Sequence, residues 1–442
     1  MKPQASSNLT TMQQTEHKPK LALFFGNIRP HEYNTFKDAG YKLGLFFRKH
    51  HYLPRPSVED FEFITDFTHE METEPLVSHY QKISQQYDIQ HHINVREDTV
   101  PQFAKFAEQI GIASTAPQDA ITARDKTLMK TAFKNHIGEH STSAFALVNS
   151  ATEVLEFANA HRWPLVLKPT NLHASKFVSI NHNVNELMAS YQHAVAQISA
   201  LNRLERNLDA DLKAETFTSQ DETTFLQIEE FMPGTNHSVD CLIDQYGRVY
   251  ATPVVDVVVG IEIGKSDFHH FARRTPSLLP AMQEQAVREM AIAGCKALNL
   301  RSCIAHVELI NTVTGAQLIE IAARPGGNRA EILQLSYGID LMTLFRELLE
   351  GNQPPETYRV LQHAAIVTPF PEKQQRMTEL KFEETANKLN TLNKLIVKVQ
   401  SGDEVGPALA GFTAPAYFWL NSTTSAAIEQ DIANIVHSEL FV

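Results

Sequence analysis

The residues best placed to do chemistry lie between Cys303 and Arg329, in CIAHVELINTVTGAQLIEIAARPGGNR. Two apolar arms flank Thr314–Gly315, a pattern that predicts a β-hairpin. Glu308 falls in the first arm and Glu320 in the second. Alternate residues of a strand share a face, and pairing sets such residues side by side. Adjacent carboxylates repel unless a cation or proton lies between them. Mg²⁺ takes one or two carboxylates together with substrate phosphates. The pair therefore predicts a magnesium–nucleotide site, against the plainer reading of two solvated strand carboxylates. Directly after it, Gly326 and Gly327 let backbone N–H groups approach an anion. Arg324, just before them, suits charge developing at a phosphoryl or acyl centre. An ordinary glycine turn beside a solvent-facing arginine is the alternative.

Upstream, the apolar run PLVLKP predicts a strand from Pro164 to Pro169 with Lys168 near its end, where an ammonium suits a phosphate. A strand-edge lysine is the default for any such residue. LHASKFVSI, from Leu172, is a small-residue turn that can fold over phosphates as a lid, although it contains no glycine. KSDFHHFARRTPSLLP, from Lys265, gathers His269, His270, Arg273 and Arg274. Adjacent histidines seldom converge on one metal ion, and with 20 His in the chain the pairs at His50, His91 and His269 need no special cause.

The elements that must hold these groups follow from periodicity. LALFFG from Leu21 predicts a buried strand ending at Gly26, NTFKDAG a helix, VEDFEFITDF from Val58 a strand, and TVPQFAKFAEQIGI a helix ending at Gly111. This alternation predicts an α/β sheet domain. TARDKTLMKTAFKNHIG and TEVLEFANAH predict helices, as do a segment from Val184 to about Leu212 and MQEQAVREMAIAGCKALNL. FLQIEEFMPG predicts a strand entering a turn, and SVDCLIDQYGRVYATPVVDVVVG antiparallel strands around Gln245–Gly247. The charged stretch 203–224 carries no chemistry.

The chain has 442 residues and a formal net charge of −12, which argues against bulk binding to nucleic-acid phosphates. No run of 18 apolar residues predicts a membrane span. The N-terminal segment lacks an apolar signal core and predicts a disordered tail. Cys241, Cys295 and Cys303 form no CxxC pair and no even-numbered disulfide set, so buried thiols in a reducing, cytoplasmic setting are expected.

Taken in order, RDK at Arg124, PLVLKP, the small-residue loop, IEEFMPG at Ile228, SVD at Ser238, HVEL at His306 and IEIAARPGG at Ile319 resemble the ATP-grasp superfamily over roughly residues 120–340. HVEL…LIEIAARPGG and VQSGDEVGP look most like the L-amino-acid ligases, the group that includes bacilysin synthetase and carnosine synthase. The resemblance implies an α/β ATP-grasp fold: a tail at 1–18, an N-terminal α/β domain at 19–115, an ATP-grasp domain at 116–353 with a lid at about 145–232, and a C-terminal α/β region at 354–442. It implies ATP with Mg²⁺, with Mn²⁺ as a substitute, and small amino-acid or amine substrates. Nucleic acid and membrane are not expected partners, and a homodimer is allowed.

By the same resemblance, Lys126 and Lys168 lie at the phosphates, Lys168 also at the adenine edge, and Ser175 and Lys176 on the covering loop. Glu229, Glu230, Phe231 and Met232 form the adenine-reading hinge, with Glu229 accepting from the adenine amino group. Glu308 and Glu320 hold magnesium. Arg324 is catalytic, stabilising the acyl phosphate and the tetrahedral intermediate. Gly326 and Gly327 line the amino-acid pocket, and His269, His270 and Arg273 meet the substrate. Two departures stand out: Asn236 occupies the usual acidic ribose position, and Ala322 the place of an Asn common in the superfamily. The implied reaction is carboxylate–amine ligation. Its rivals are a carboxylase or purine-pathway-type ligase and a nucleotide-binding regulator without catalysis.

Overall fold

The computed structural model describes residues 18–49, 55–68, 73–170, 178–206, 225–265 and 267–442, and the side chains of all of these except 197–206. The expected covering-loop residues Ser175 and Lys176 lie outside them.

The first sheet is parallel, in the order β3-β2-β1-β4, from β1 (Lys20–Phe25), β2 (Lys42–Arg48), β3 (Phe63–Phe67) and β4 (Asp88–Asn94). β1 is apolar on both faces because both are covered, as parallel sheets require. Leu21, Leu23 and Phe25 enter one core with Phe103 and Phe106, while Ala22 and Phe24 enter the other. That second core also receives Leu341, Met342, Phe345 and Leu348 of the helix Leu341–Leu349, so this sheet is welded to the centre of the molecule.

The expected strand from Val58 is corrected. Val58–Asp60 forms a 3₁₀ turn, and only Phe63–Phe67 is strand. Asp60 is drawn instead to Tyr33 (2.8 Å) and to Lys37 on the neighbouring helix, which bends the chain before pairing begins.

The second sheet is antiparallel, in the order β5-β8-β6-β7, from β5 (Phe145–Val148), β6 (Leu165–Pro169), β7 (Ser179–Asn181) and β8 (Leu226–Glu230). One face packs Leu165, Leu167, Leu226 and Ile228 with Val154 and Phe157 of the helix Ala151–Ala160 and Leu187 of the helix Val184–Arg206. The period of two sends Val166, Lys168, Gln227 and Glu229 to the other face.

The largest sheet is built on β9 (Thr235–Ile243), with β10 (Val249–Ala251), β11 (Val255–Val259), β12 (His270–Thr275), β13 (Cys303–Thr312) and β14 (Gly315–Ala322). β15 (His363–Val367), β17 (Leu392–Val397) and β19 (Ala416–Ser422) continue it in the order β14-β13-β9-β11-β12-β15-β19-β17, with β10 on β9. The short strands β16 (Gln375–Arg376) and β18 (Glu404–Val405) pair apart from it.

The helix Ala281–Ala297 covers the back of β13 and β14 with Val287, Ala291 and Cys295. It lies close because Gly294 has no side chain: a Cβ there would sit 2.8 Å from Ile321 Cδ1. All three cysteines are free and buried, as expected. Among the described residues no helix is long and apolar enough to cross a membrane.

Candidate functional site

The hairpin predicted from sequence is β13–β14, and its register sets Glu308 directly opposite Glu320. The pairing shifts by one residue between Glu308 and Leu309, leaving Ile319 as a bulge. The bulge lets both Ile319 and Glu320 face the same cleft, which Glu308 and Ile310 also line. On β13, Val307 and Leu309 turn into the core behind.

The cleft, counted together with the solvent-open space at its edge, spans about 1020 Å³ between the second sheet and the third. Val166, Val178, Phe231, Met232, Val259, Ile261, Phe268, Ile310 and Ile319 make its apolar walls, with the Phe231 and Phe268 rings 6.3 Å apart. Lys126, Lys168, Glu229, Glu230, Asn236, Glu262 and His270 supply polar groups along it. An apolar slot with a few convergent polar groups is the usual form of a small-molecule site.

Lys126 enters at the first residue of the helix Lys126–His136. Asp125 caps that helix by accepting from the Thr127 and Leu128 amides at 2.8 and 2.9 Å. Lys126 Nζ reaches Glu320 Oε2 at 3.2 Å. One turn on, Lys130 points inward and is wholly buried, donating to Thr142 Oγ1 (2.7 Å) and Ser143 Oγ (3.0 Å). Its ammonium lies 2.9 Å from Glu229, and Lys168 Nζ lies 2.7 Å from the other oxygen of the same carboxylate. Burial pushes Glu229 upward, but Lys130 and Lys168 together bring it down to about 2. Burial lowers Lys130 to about 8, with Glu229 holding it up against that trend.

Two sequence expectations change here. The Glu229 carboxylate is engaged by two lysines and by Gln227 Nε2 (3.0 Å), so it braces Lys130 and Lys168 where an adenine acceptor was expected. Lys168 lines the cleft but is held by Glu229. Glu230 accepts from the Arg162 amide at 3.1 Å, while Phe231 and Met232 face the cleft. Asn236 also lines it and donates to Glu262 Oε1 at 3.4 Å, so an acidic group stands beside Asn236 after all, supplied from the turn after β11.

Glu308 has neighbours that sequence reasoning missed. His306, two residues earlier on the same face, places Nε2 3.3 Å from Glu308 and Nδ1 2.6 Å from buried Asp240. His270 Nε2 is 3.9 Å from Glu308. Burial drives His270 down to about 3, so its ring is neutral at pH 7. A guanidinium only donates, so the 3.3 Å contact from Arg329 Nη2 to His270 Nδ1 places the ring proton on Nε2, toward Glu308. Burial opposes ionisation of Glu308, but His270, His306 and Arg329 hold its carboxyl well below the usual range.

The remaining sequence-predicted residues divide. Gly326 is not a pocket wall: a Cβ there would lie 2.4 Å from His306 Nδ1, and its amide donates to Asp240 at 3.3 Å. Gly327 has open space around it. Arg324 turns to Glu97, with Nε 3.1 Å from Oε2, and donates to its neighbour's carbonyl, Pro325 O, at 2.9 Å. It does not line the cleft, so the reach toward a bound phosphate expected from sequence is replaced by an ion pair with the N-terminal part of the chain. His269 is corrected too: it is buried against Asp267 and Phe370 and turned from the cleft, because strand alternation there sends its neighbour His270 inward. Arg273 donates to Thr368 Oγ1 at 2.7 Å.

The donor chemistry fits magnesium held with a nucleotide. Two facing carboxylates are what that ion takes beside phosphate oxygens. Among the described residues no cluster of three or more His, Cys, Asp and Glu is arranged to hold a metal by protein ligands alone.

Residues 161–331 match the ATP-grasp domain family. Over 303 residues the chain is 26% identical to alanine–anticapsin ligase of Bacillus subtilis, covering 64% of this chain and 58% of that protein. It thus spans less than two thirds of the length of the curated relatives it matches first. The L-amino acid ligase of Bacillus licheniformis superposes with a TM-score of 0.74 at 17% identity, over 95% of this chain and 98% of that one. The biotin carboxylase domain dimer of Hydrogenobacter thermophilus 2-oxoglutarate carboxylase, solved with MgADP and bicarbonate, gives 0.62 at 14% identity, over 95% and 90%. The chain carries an ATP-grasp domain and has the fold of the ATP-grasp ligases.

Proposed function

We propose that this protein is an ATP-dependent carboxylate–amine ligase that joins an amino acid, through its carboxylate, to a second amino acid or amine. The observation that carries the reading is the in-register pair Glu308–Glu320 lining an apolar slot together with Lys126 and Lys168. In this reading Phe231, Met232, Phe268 and Val166 sandwich the base, and Glu262 with Asn236 meets the ribose. Lys126 and Lys168 neutralise phosphate oxygens, with Ser175 and Lys176 on the covering loop. Glu308 and Glu320 hold Mg²⁺, which when bound neutralises charge on the phosphates.

The chemistry follows from leaving groups. A carboxylate oxygen attacks the γ-phosphorus of ATP and the bond to ADP breaks, giving an acyl phosphate. The amine nitrogen then attacks the acyl carbon, the C–O bond to phosphate breaks, and the nitrogen loses a proton. Lysines beside the phosphates offset charge in the first step. Arg324, released or shared by Glu97, stabilises the oxyanion of the second. Gly327 leaves room beside it for the substrate. We assign the N-terminal domain to 19–115, the ATP-grasp domain to 116–353 and the C-terminal region to 354–442. We take the protein to act in the cytoplasm.

The test is a product assay with ATP and Mg²⁺ across amino acids, singly and in pairs. ADP and phosphate formed only with amino acids support the reading. AMP and pyrophosphate would sink the acyl-phosphate route, and ADP formed with bicarbonate alone would favour a carboxylase.

A further inference from the structure

Behind His270 and Glu308 lie two guanidinium groups that the nucleotide reading does not use. Arg329 opens the helix Arg329–Tyr337 and is 3% exposed. It donates to Ser238 Oγ at 3.1 Å, to Gly327 O at 2.9 Å and to His270 Nδ1 at 3.3 Å, all neutral acceptors. A guanidinium carries five N–H donors, so two remain. Arg273, on β12, has Thr368 Oγ1 as its hydrogen-bond acceptor, and its Nε is buried without a partner. Burial lowers Arg273, and the charge of Arg329 nearby lowers it further.

Among the described residues, no carboxylate lies within ion-pair distance of Arg273 or Arg329. The neighbouring arginines differ. Arg324 and Arg124 share Glu97, and Arg274 has Glu429 and Asp256. Glu308 and Asp240 support the charge of Arg329 from nearby, but neither meets its donors, so the unspent N–H groups of Arg329 and the unpartnered Nε of Arg273 remain for an anion from outside.

The identity of that anion follows by elimination. In the ligase reading phosphate oxygens would have Lys126 and Lys168, and Glu308 and Glu320 would hold the metal ion. The carboxylate that reacts becomes an acyl phosphate and belongs with them. A fork of planar donors matches the two oxygens of a carboxylate that does not react.

We propose that Arg273 and Arg329 form a subsite for a non-reacting substrate carboxylate. It is either the α-carboxylate of the amino acid that supplies the amine or the acidic side chain of the carboxylate donor. The subsite rests on the ligase reading for its place in the reaction but not for its chemistry. It makes the substrate pair one that carries two carboxylates, which excludes a simple acid joined to a simple amine.

The experiment measures binding and turnover on the same protein. Full-length wild type, R273M and R329K are loaded with a non-hydrolysable ATP analogue and Mg²⁺. They are then titrated with each common amino acid and with its α-carboxamide, by calorimetry. The expected result is that at least one amino acid binds wild type, that its carboxamide binds at least about tenfold more weakly, and that R273M loses about tenfold for the acid while nucleotide affinity holds. Arg273 is partly exposed, so R273M is expected to fold. R329K keeps the buried charge and serves as the second variant, with a smaller loss of the same kind.

A preference for Asp or Glu over Asn or Gln assigns the subsite to the donor's side chain. Discrimination at the α-carboxamide assigns it to the amine substrate. Equal binding of acid and carboxamide, a loss confined to nucleotide, or no amino-acid binding overturns the proposal. Selective binding without ADP formation from any pair defeats the ligase reading and leaves the subsite standing. ADP formation with indifference to the carboxamide does the reverse.

Discussion

Glu229→Gln tests whether the buried lysines of the cleft are positioned by their shared carboxylate. Glu229 sits 2.7 Å from Lys168 and 2.9 Å from Lys130, whose side chain is fully buried. Its shift from 4.5 to about 2 corresponds to about 3 kcal/mol at ~1.36 kcal/mol per unit. A depressed carboxylate contributes fully above about pH 4.5 and loses that contribution as pH falls toward 2. Lys130 opposes it. Burial lowers it from 10.5 to about 8, a cost of about 3 kcal/mol at neutral pH that is relieved as pH rises from 8 toward 10.5. The two cancel to first order, so the cluster adds little net stability, as buried ion pairs often do. What it does is hold two ammonium groups at fixed places.

Glu229→Gln upsets that balance and leaves both lysines buried without an anion, at a cost of about 3–5 kcal/mol. Without Glu229 the folded-state pKa of Lys130 falls further, so the deficit should shrink between pH 7 and pH 9 as Lys130 sheds its proton. Urea midpoints of wild type and variant at pH 6, 7.5 and 9 read this directly. Lys130→Met on the variant background should recover much of the loss. A variant as stable as wild type at pH 7.5, or a deficit independent of pH, would refute the reasoning.

Two further outcomes follow from the proposed roles. Glu320→Gln removes one of the facing carboxylates. It should cut ADP formation at least about 10–100-fold and shift half-saturation to higher Mg²⁺, whereas wild-type Mg²⁺ dependence in that variant would remove the metal assignment. Arg324→Lys keeps charge but loses the fork, so kcat should fall about a hundredfold with little change in ATP affinity, and near-normal kcat would leave Arg324 a partner of Glu97 only.

The hairpin could be read from sequence because its information is local. A glycine turn fixes the pairing and brings the arms that carry Glu308 and Glu320 together, although a regular period of two from that turn would set Ile319, and not Glu320, opposite Glu308. The bulge at Ile319 could not be read, since nothing in QLIEIA distinguishes a shifted register from a regular one. His306 did leave a signal: it shares the parity of Glu308 in HVEL, and a polar residue on a strand face that also carries Ile304 and Ile310 needs a partner. That partner, Asp240, is 66 residues away, so only the fold identifies it. Lys130 likewise sits on the apolar face of its helix between Met129 and Phe133, an anomaly whose resolution, Glu229, lies on another sheet. The apparent alternation of VEDFEF misled because Asp60 takes partners from an earlier helix.

These long-range partners share a consequence for how the site is built. Asp240 accepts from His306 on β13 and from the Gly326 amide after β14, so one buried carboxylate joins the strand bearing Glu308 to the loop bearing Arg324 and Gly327. Gly326 has no room for a Cβ against His306, which ties the loop to the ring at van der Waals distance. His306 then touches Glu308 itself. Displacing the loop by even one methyl group would move the histidine, and with it the carboxylate proposed to hold the metal. In the ligase reading the first step depends on that carboxylate and the second on the loop. The Asp240–His306 link therefore holds the two reaction centres in fixed relation, so that an acyl phosphate made at one is already in reach of the groups that serve its aminolysis.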